Sequence, residues 1–233
     1  MKLELISATL RQPSWRSCLD SWSSHTIREW STRLMENDLT GQGLLESYQT
    51  AFEGSAADIL LFIHDDLIMH DPLWNMRLLH EFKDPNVGMV GFAGALGHGT
   101  SDLYTSPYKL SNMARQNFLS NMVNAEANGE RFSGSCDVSV LDGMALAIRR
   151  SLLLDMGGFP LDTVVGYFMY AEWMCCMTRR FGKRIRLVGC QCEHLSGKST
   201  GLNPNLKVEF EAEHEYVFNE FKDVLPAMVK GPR

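Results

Sequence analysis

The hydrophobic positions of the first ninety residues alternate between strand-like and helix-like segments. Residues 3–10 and 59–63 are apolar runs of strand length, and a continuous run of this kind is typical of a strand buried in a parallel sheet. Residues 44–52 have apolar side chains at helical spacing, and Asp71-Pro72 supplies a cap and a first-turn proline for a helix that ends near Phe82. This alternation predicts an α/β fold with a mostly parallel central sheet flanked by helices.

The pattern weakens in the middle of the chain and then returns. Residues 94–135 are rich in Gly, Ser, Asn and Met, which predicts a long connection that shapes a binding site, with one helix near residues 109–125. Beyond it the pattern predicts two short strands in 138–148, a short helix at 151–156, a helix at 168–181, a strand at 184–188 and an acidic helix at 206–221. No boundary interrupts the chain, so we expect one domain, with halves at 1–93 and 94–200 and a helical tail at 201–233.

Composition narrows the class of protein. Of 233 residues, 45% are hydrophobic and 21% charged, as in ordinary globular proteins. No apolar run reaches the roughly 18 residues of a membrane helix, and residues 1–6 resemble a first strand more than a signal peptide. The six cysteines are therefore expected to be free thiols in a reducing compartment, the cytoplasm. The net charge of −6 argues against nucleic acid as a partner.

The strongest local signal is the sequence His64-Asp65-Asp66, which follows the buried run at 59–63. In open parallel sheets, ligands bind beyond the carboxyl ends of the strands. Two adjacent carboxylates repel each other, so a nearby divalent ion would keep both ionised and would also bridge the phosphates of a nucleotide. The alternative is that Asp65 and Asp66 begin a turn and face water.

Glu172 is a second candidate, because it is the one acid between Asp162 and Glu193 and lies among apolar and aromatic residues. Such a carboxylate has reason to carry a raised pKa and to act as a general base. The alternatives are a position on the solvent face of its helix or an ion pair with Arg179 or Arg180.

His194 ends a third candidate segment. If residues 190–194 form a strand, Cys190, Cys192 and His194 share one face, which suggests a zinc site. Neighbours on one strand face are about 7 Å apart, however, whereas zinc ligands converge to about 2.0–2.3 Å from the ion. We therefore expect two buried cysteines and a functional His194 at the strand end, the alternative being a core or surface histidine.

Taken in order, seven segments resemble the GT-A fold glycosyltransferases of the broad family-2-like group, in particular bacterial and phage members with a His-x-Asp variant of the Asp-x-Asp motif. The similarity spans residues 2–199. The segments that carry it are 60–66, 85–91, 141–150, 157–159, 170–172, 179–182 and His194.

This resemblance implies a single Rossmann-like GT-A domain, a nucleotide-sugar donor that is usually a UDP-sugar, and Mn²⁺ or Mg²⁺. The implied metal ligands are Asp66 and His194, and the implied base is Glu172. The implied donor contacts are Thr9, Arg11, Gln49, His64 and Asp65, and the sugar or acceptor side is assigned to Asp142, Gly143 and Trp173. The family often has two acids near Glu172 where this chain has one, and Asp38 is a candidate for its acidic turn after the second strand.

The function expected from these signals is metal-dependent, inverting transfer of a sugar to a carbohydrate or other hydroxyl acceptor. Two alternatives remain open. A catalytically silent nucleotide-sugar-binding protein is favoured by the altered acid motif. A nucleotidyltransferase would need a Gly-rich basic loop after the first strand, where this chain has Leu-Arg-Gln-Pro at residues 10–13.

Overall fold

The computed structural model describes residues 1–9, 15–24, 29–37, 42–99, 118–123, 130–195 and 206–232. The strands within these residues are β1 (Leu3–Thr9), β2 (Ser31–Glu36), β3 (Ile59–Ile63), β4 (Leu67–Met69), β5 (Val87–Gly91), β6 (Ala93–Ala95), β7 (Gly97–His98), β8 (Phe118–Ser120), β9 (Glu130–Arg131), β10 (Ser135–Asp137), β11 (Val140–Leu141), β12 (Ala145–Arg149), β13 (Arg184–Val188), β14 (Cys192–His194) and β15 (Ala227–Met228). The helices are α1 (Trp15–Ser24), α2 (Leu44–Glu53), α3 (Trp74–Glu81), α4 (Arg150–Asp155), α5 (Tyr170–Arg180) and α6 (Leu206–Glu220).

A seven-stranded sheet in the order β10-β13-β5-β12-β3-β1-β2 forms the centre of the molecule. Strands β1, β2, β3, β5 and β13 run in one direction, because β1 pairs in parallel with β2 and β3, β5 pairs in parallel with β13, and β12 lies antiparallel between β3 and β5. Only β12 and β10 run the other way in this sheet. The predicted α/β fold with a mostly parallel central sheet is therefore confirmed.

Strand β3 is the most enclosed element of this sheet, with all five residues fully buried. On one face, the ring of Phe62 packs against Tyr48 from α2, with 4.8 Å between centroids, and against Phe159, at 5.1 Å. Burying a large apolar side chain in this way stabilises the fold by about 1.5–3 kcal/mol. The strand that leads into His64 is thus anchored from both neighbouring strands and from the helix layer.

A two-stranded sheet of β4 and β14 adjoins the end of β3 and positions the site. The two strands are antiparallel, with His194 opposite Leu67 and Cys192 opposite Met69. Since β4 follows β3 after a three-residue connection, this pairing returns His194 to the residues at the end of β3. A chain segment 130 residues away is thereby brought to the candidate site.

Two other expectations have outcomes in the described residues. The helix predicted near residues 109–125 is wrong for residues 118–120, which form β8 and pair with β6; burial of all three side chains against that sheet overrides the weak local periodicity. Residues 109–117 and 124–125 lie outside the described residues. All six cysteines are free and buried, as expected. Among the described residues, no helix is both long and apolar enough to cross a membrane.

Replacing Phe62 with alanine is expected to lower the free energy of unfolding by about 3–5 kcal/mol, because it leaves a cavity between α2 and the sheet. Chemical denaturation measures the change. Leu154→Ala, which truncates a side chain that is 59% exposed, is the control and should stay within about 0.5 kcal/mol of the unsubstituted protein. Equal effects of the two substitutions would contradict the packing described.

Candidate active site

The site lies where β3 ends, because the strand delivers His64, Asp65 and Asp66 to the carboxyl edge of the sheet. The backbone holds these residues in place: His64 N donates to Met144 O at 2.9 Å, and Leu195 N donates to Asp66 O at 3.0 Å. The first bond extends the β12–β3 ladder and the second extends the β14–β4 ladder. Their position is thus determined by sheet register and does not depend on a flexible loop.

Two imidazoles and one carboxylate converge at this edge. His64 Nδ1 lies 3.4 Å from His194 Nε2, and His194 Nε2 lies 3.1 Å from Asp66 Oδ1. One ligand atom from each of the three residues falls within 4.8 Å of the others. We call His64, Asp66 and His194 the metal cluster.

The geometry of the metal cluster fits a divalent ion. Atoms about 2.1 Å from one ion are about 3.0 Å apart at right angles and about 3.4 Å apart at the tetrahedral angle, which matches the separations observed. Asp66 Oδ1 is buried, and the imidazole of His194 faces it, with Nε2 3.1 Å away. A buried carboxylate oxygen is costly unless a positive charge balances it, and a divalent ion would supply that charge.

The charges in the cluster favour the ligand form of His64 and of Asp66, but they favour the protonated form of His194. Burial, assisted by His194, lowers the pKa of His64 to about 4, so this imidazole is neutral at physiological pH. Burial raises the pKa of Asp66, but the hydrogen bond and charge of His194 outweigh it and the net shift is downward. Burial lowers the pKa of His194, but Asp66 outweighs it and the net shift is upward. A bound cation would take the place of the proton shared by Asp66 and His194.

Tyr170 orients the His64 ring. Its hydroxyl donates to Gly143 O at 2.6 Å and lies 3.4 Å from His64 Nε2. Burial raises the pKa of Tyr170 well above its ordinary range, so the hydroxyl keeps its proton. Since that one proton is donated to Gly143 O, the hydroxyl can only accept from Nε2–H, which leaves the Nδ1 lone pair of His64 for the cluster.

Gly143, predicted on the sugar side, has a structural reason to be glycine. A Cβ at this position would lie 2.9 Å from the Tyr170 hydroxyl oxygen. Glycine at this position therefore leaves room for the Tyr170 hydroxyl, which orients His64.

His64 was expected to contact the donor, but the structure places it in the metal cluster.

Thr9 and Asp65 are brought together as the parallel register of β1 and β3 requires. Ser7 pairs with Ile63, and two residues further on Thr9 Oγ1 donates to Asp65 Oδ2 at 2.6 Å. Both residues were assigned to the nucleotide sugar, and they lie side by side at the ligand-binding edge of the sheet. Arg11 and Asp38 lie outside the described residues.

Asp142 provides a further half-buried carboxylate near the metal cluster. Its Oδ1 accepts a hydrogen bond from Met144 N at 2.9 Å, and no described residue is hydrogen-bonded to its Oδ2. Its negative charge opposes the fall in the pKa of His64 that burial causes, and it adds to the rise in the pKa of His194. It does not belong to the metal cluster, so it is a nearby acid outside the ligand set.

Tyr167 is a site residue that the sequence analysis missed. Its ring stacks on that of His64, with 5.9 Å between centroids and 19° between planes, while 42% of the residue stays exposed. Burial, with the charges of Asp66, Asp142 and Asp65, raises the pKa of its hydroxyl. No motif marks this tyrosine, since it lies in a turn-rich segment before α5 and reaches His64 only through the tertiary fold.

The structure places Gln49 and Trp173 away from the metal cluster, and the roles expected of them stay predictions. Gln49 Oε1 accepts a hydrogen bond from Phe159 N at 2.9 Å, which links α2 to the turn at Phe159, and its Nε2 donates to Glu53 within α2 at 2.7 Å. Trp173 is 8% exposed and packs edge-on against Phe221, with 6.4 Å between ring centroids. Its indole is covered and offers no open face to a sugar.

Glu172, the predicted base, is fully buried. Residues two positions apart in a helix are about 200° apart around its axis. Glu172 and Tyr170 therefore point to opposite sides of α5. Residues three and four positions apart share one side of a helix, so Glu172 lies on the same face of α5 as the buried Cys175 and Cys176. Asp142 is the more accessible acid.

With this geometry described, comparison with known proteins identifies the class. The sequence pattern of the glycosyltransferase like family matches residues 39–203, most of the chain. The chain belongs to that family, and the resemblance to GT-A glycosyltransferases is confirmed. No curated protein matches the sequence.

Solved structures with the same fold include three glycosyltransferases. The mannosyltransferase PcManGT from Pyrobaculum calidifontis, in complex with GDP-Man and Mn²⁺, has a TM-score of 0.57 at 14% identity, covering 84% of this chain and 57% of its own. GalNAc-T7 with UDP, GalNAc and Mn²⁺ has a TM-score of 0.67 at 10% identity, covering 95% and 50%. Glucosyl-3-phosphoglycerate synthase from Mycobacterium tuberculosis, with Mg²⁺ and UDP, has a TM-score of 0.59 at 17% identity, covering 95% and 79%. The chain spans 57% of the length of the first structure and 50% of the second, and identities this low establish the fold alone.

Tyr170→Phe is expected to weaken Mn²⁺ binding about 10- to 100-fold, because the His64 ring loses the partner that fixes its tautomer. Isothermal titration calorimetry with Mn²⁺ measures the affinity. Tyr216→Phe, which removes a hydroxyl from α6, serves as the control and should bind as the unsubstituted protein does. An unchanged affinity in Tyr170→Phe would contradict the role assigned to the hydroxyl.

Proposed function

We propose that this chain is a metal-dependent glycosyltransferase that moves a sugar from a nucleotide-sugar donor, a UDP-sugar, to an acceptor hydroxyl with inversion at the anomeric carbon. The observation that carries the proposal is the metal cluster at the carboxyl edge of a mostly parallel sheet. That edge is where nucleotides bind in folds of this class. Membership of the glycosyltransferase like family supports the same activity.

The proposed ion is Mn²⁺ or Mg²⁺, held by His64, Asp66 and His194. The two nitrogens and one oxygen suit Mn²⁺ better than Mg²⁺, which prefers oxygen ligands. The structures of similar fold named above were obtained with one or the other ion. Bound there, the ion would stabilise the negative charge that develops on the leaving nucleoside diphosphate.

The protein side chains would hold the donor and move one proton. Thr9 and Asp65 are proposed to bind the nucleoside end of the donor, because they lie together at the end of the two adjacent parallel strands. Asp142 is proposed to take the proton of the acceptor hydroxyl. At the same time the hydroxyl oxygen forms a bond to the anomeric carbon, and the bond from that carbon to the diphosphate breaks. The Oδ2 of Asp142 is available, whereas Glu172 is enclosed.

The two halves of the chain are proposed to divide these tasks. Residues 1–93 supply the donor contacts together with His64 and Asp66, and residues 94–200 supply the acceptor side together with His194. The metal cluster therefore joins both halves. The acceptor is a carbohydrate or another compound that presents a hydroxyl.

Asp66→Asn is expected to abolish metal-dependent turnover of a nucleotide sugar, because the amide keeps the shape of the side chain and removes its charge. The loss of turnover should exceed the roughly 10- to 100-fold loss that follows removal of a residue hydrogen-bonded to a metal ligand. Release of UDP from a panel of UDP-sugars, with Mn²⁺ or with a chelator, measures turnover. Asp155→Asn, on the exposed side of α4, is the matched control.

Metal-dependent UDP binding without release from any donor or acceptor would favour the silent binding protein instead. Failure of the unsubstituted protein to bind either Mn²⁺ or UDP would overturn the proposed function itself.

Asp142→Asn is expected to lower kcat about 10²- to 10⁴-fold, the usual contribution of a general base, and to leave Mn²⁺-dependent UDP binding unchanged. Glu172→Gln is the matched comparison, since it neutralises the enclosed acid while keeping its size. Steady-state kinetics with the donor identified above, together with calorimetry for UDP, separate the two. A large loss of kcat in Glu172→Gln with normal turnover in Asp142→Asn would return the base to Glu172.

A further inference from the structure

Helix α6 lies beyond the part of the chain that matches the family, which ends at residue 203. Glu209, Glu211 and Glu215 on this helix are exposed, whereas Glu213 is only 5% exposed. A buried carboxylate on an otherwise solvated acidic helix needs compensating donors. The donors come from the segment that begins α5.

Glu213 caps α5 from outside that helix. Its Oε2 accepts hydrogen bonds from Gly166 N at 2.8 Å and from Met169 N at 2.9 Å. Met169 is the N-cap residue of α5, and no side chain of its own caps the helix. The amide of an N-cap residue has no acceptor within its helix, so Glu213 supplies the side-chain acceptor that the start of α5 otherwise lacks.

The approach of the two segments is close. A Cβ at Gly166 would lie 3.0 Å from Glu213 Oε1, so glycine is what lets the carboxylate reach the backbone. Phe210 packs edge-on against Phe168, with 5.9 Å between ring centroids. Arg180 at the other end of α5 is held by Glu220 at 2.8 Å and by Asp223 at 2.6 Å. The residues from α6 to Asp223 thus contact the start of α5 and its last turn.

The capped segment carries the two tyrosines that contact the metal cluster. Tyr167 lies between the two amides bonded to Glu213 and stacks on the His64 ring. Tyr170 follows Met169 and places its hydroxyl beside His64 Nε2. One carboxylate therefore fixes the backbone on which both contacts to His64 depend.

We propose that Glu213 is a positioning residue for the metal cluster, so that the C-terminal helix α6 completes the active site from outside the family-matching region. It acts through the backbone of residues 166–169, which holds Tyr167 and Tyr170 against His64. This inference rests on the proposed function in one respect, since the cluster is taken to bind a divalent ion.

The test compares Glu213→Ala with Glu213→Gln and with Glu215→Ala, whose side chain is exposed on the same helix. Hydrogen exchange of the amides of Gly166 and Met169, followed by NMR, reports the cap without any ligand. Calorimetric titration of Mn²⁺ reports the cluster. Glu213→Gln keeps an acceptor oxygen and remains informative where Glu213→Ala fails to fold.

We expect Glu213→Ala to speed exchange at both amides and to weaken Mn²⁺ binding by up to about tenfold, less than Tyr170→Phe, because Glu213 contacts no ligand and acts through the two tyrosines. Glu213→Gln should restore most of the affinity, and Glu215→Ala should match the unsubstituted protein. Faster exchange with unchanged Mn²⁺ affinity would overturn the link to the cluster. Unchanged exchange in both Glu213 variants would overturn the cap itself. If the unsubstituted protein bound no Mn²⁺, the proposed function would fail, while the exchange data would still decide the cap.

Discussion

The arrangement of the site depends on keeping one half-buried carboxylate and two half-buried imidazoles within about a hydrogen bond's length of each other. Asp66, His64 and His194 are held in this way without a flexible loop between them and the sheet. Burial alone would favour a neutral acid. Asp66 stays ionised because His194 faces it, and His64 stays neutral because it is enclosed next to a second imidazole. The result is a set of ligands ready for a cation.

Three parts of the fold meet this requirement together. The buried strand β3 brings His64 and Asp66 to the sheet edge, and the β4–β14 pair returns His194 to them. The start of α5 then fixes the His64 ring through Tyr167 and Tyr170. Helix α6 supports that start through Glu213. Metal binding, in this account, draws on residues from both halves of the chain and from its C-terminal helix.

The sequence alone was sufficient for the elements whose pattern is local. The apolar run of β3 and the polar residues directly after it predicted the sheet edge with Asp65 and Asp66, whereas Thr9 was expected from the family resemblance. His194 was predicted from its place at a strand end and from the family resemblance. The structure places these residues at one edge of the sheet because strand direction and register determine where the residues following a strand must lie.

The remaining contacts depend on long-range packing that no local pattern encodes. Tyr167 and Glu213 belong to segments without a motif. The partner of Tyr167, His64, lies about 100 residues away along the chain, and the partner of Glu213, Met169, lies about 45 residues away. Trp173 and Glu172 show the converse. Each lies where a motif would place it, but the rotation of α5 turns Glu172 into the interior, and Phe221 covers the ring of Trp173. A motif locates a residue along the chain, whereas packing decides which way its side chain faces.

The most direct test of the central claim is a crystal structure of the protein grown with Mn²⁺ and UDP, with anomalous scattering recorded at the manganese edge. The account predicts one strong peak bonded to His64 Nδ1, an Asp66 carboxylate oxygen and His194 Nε2, with the diphosphate of UDP on its open side. A peak bonded to other residues, or UDP bound away from this edge of the sheet with no peak at the cluster, would contradict it.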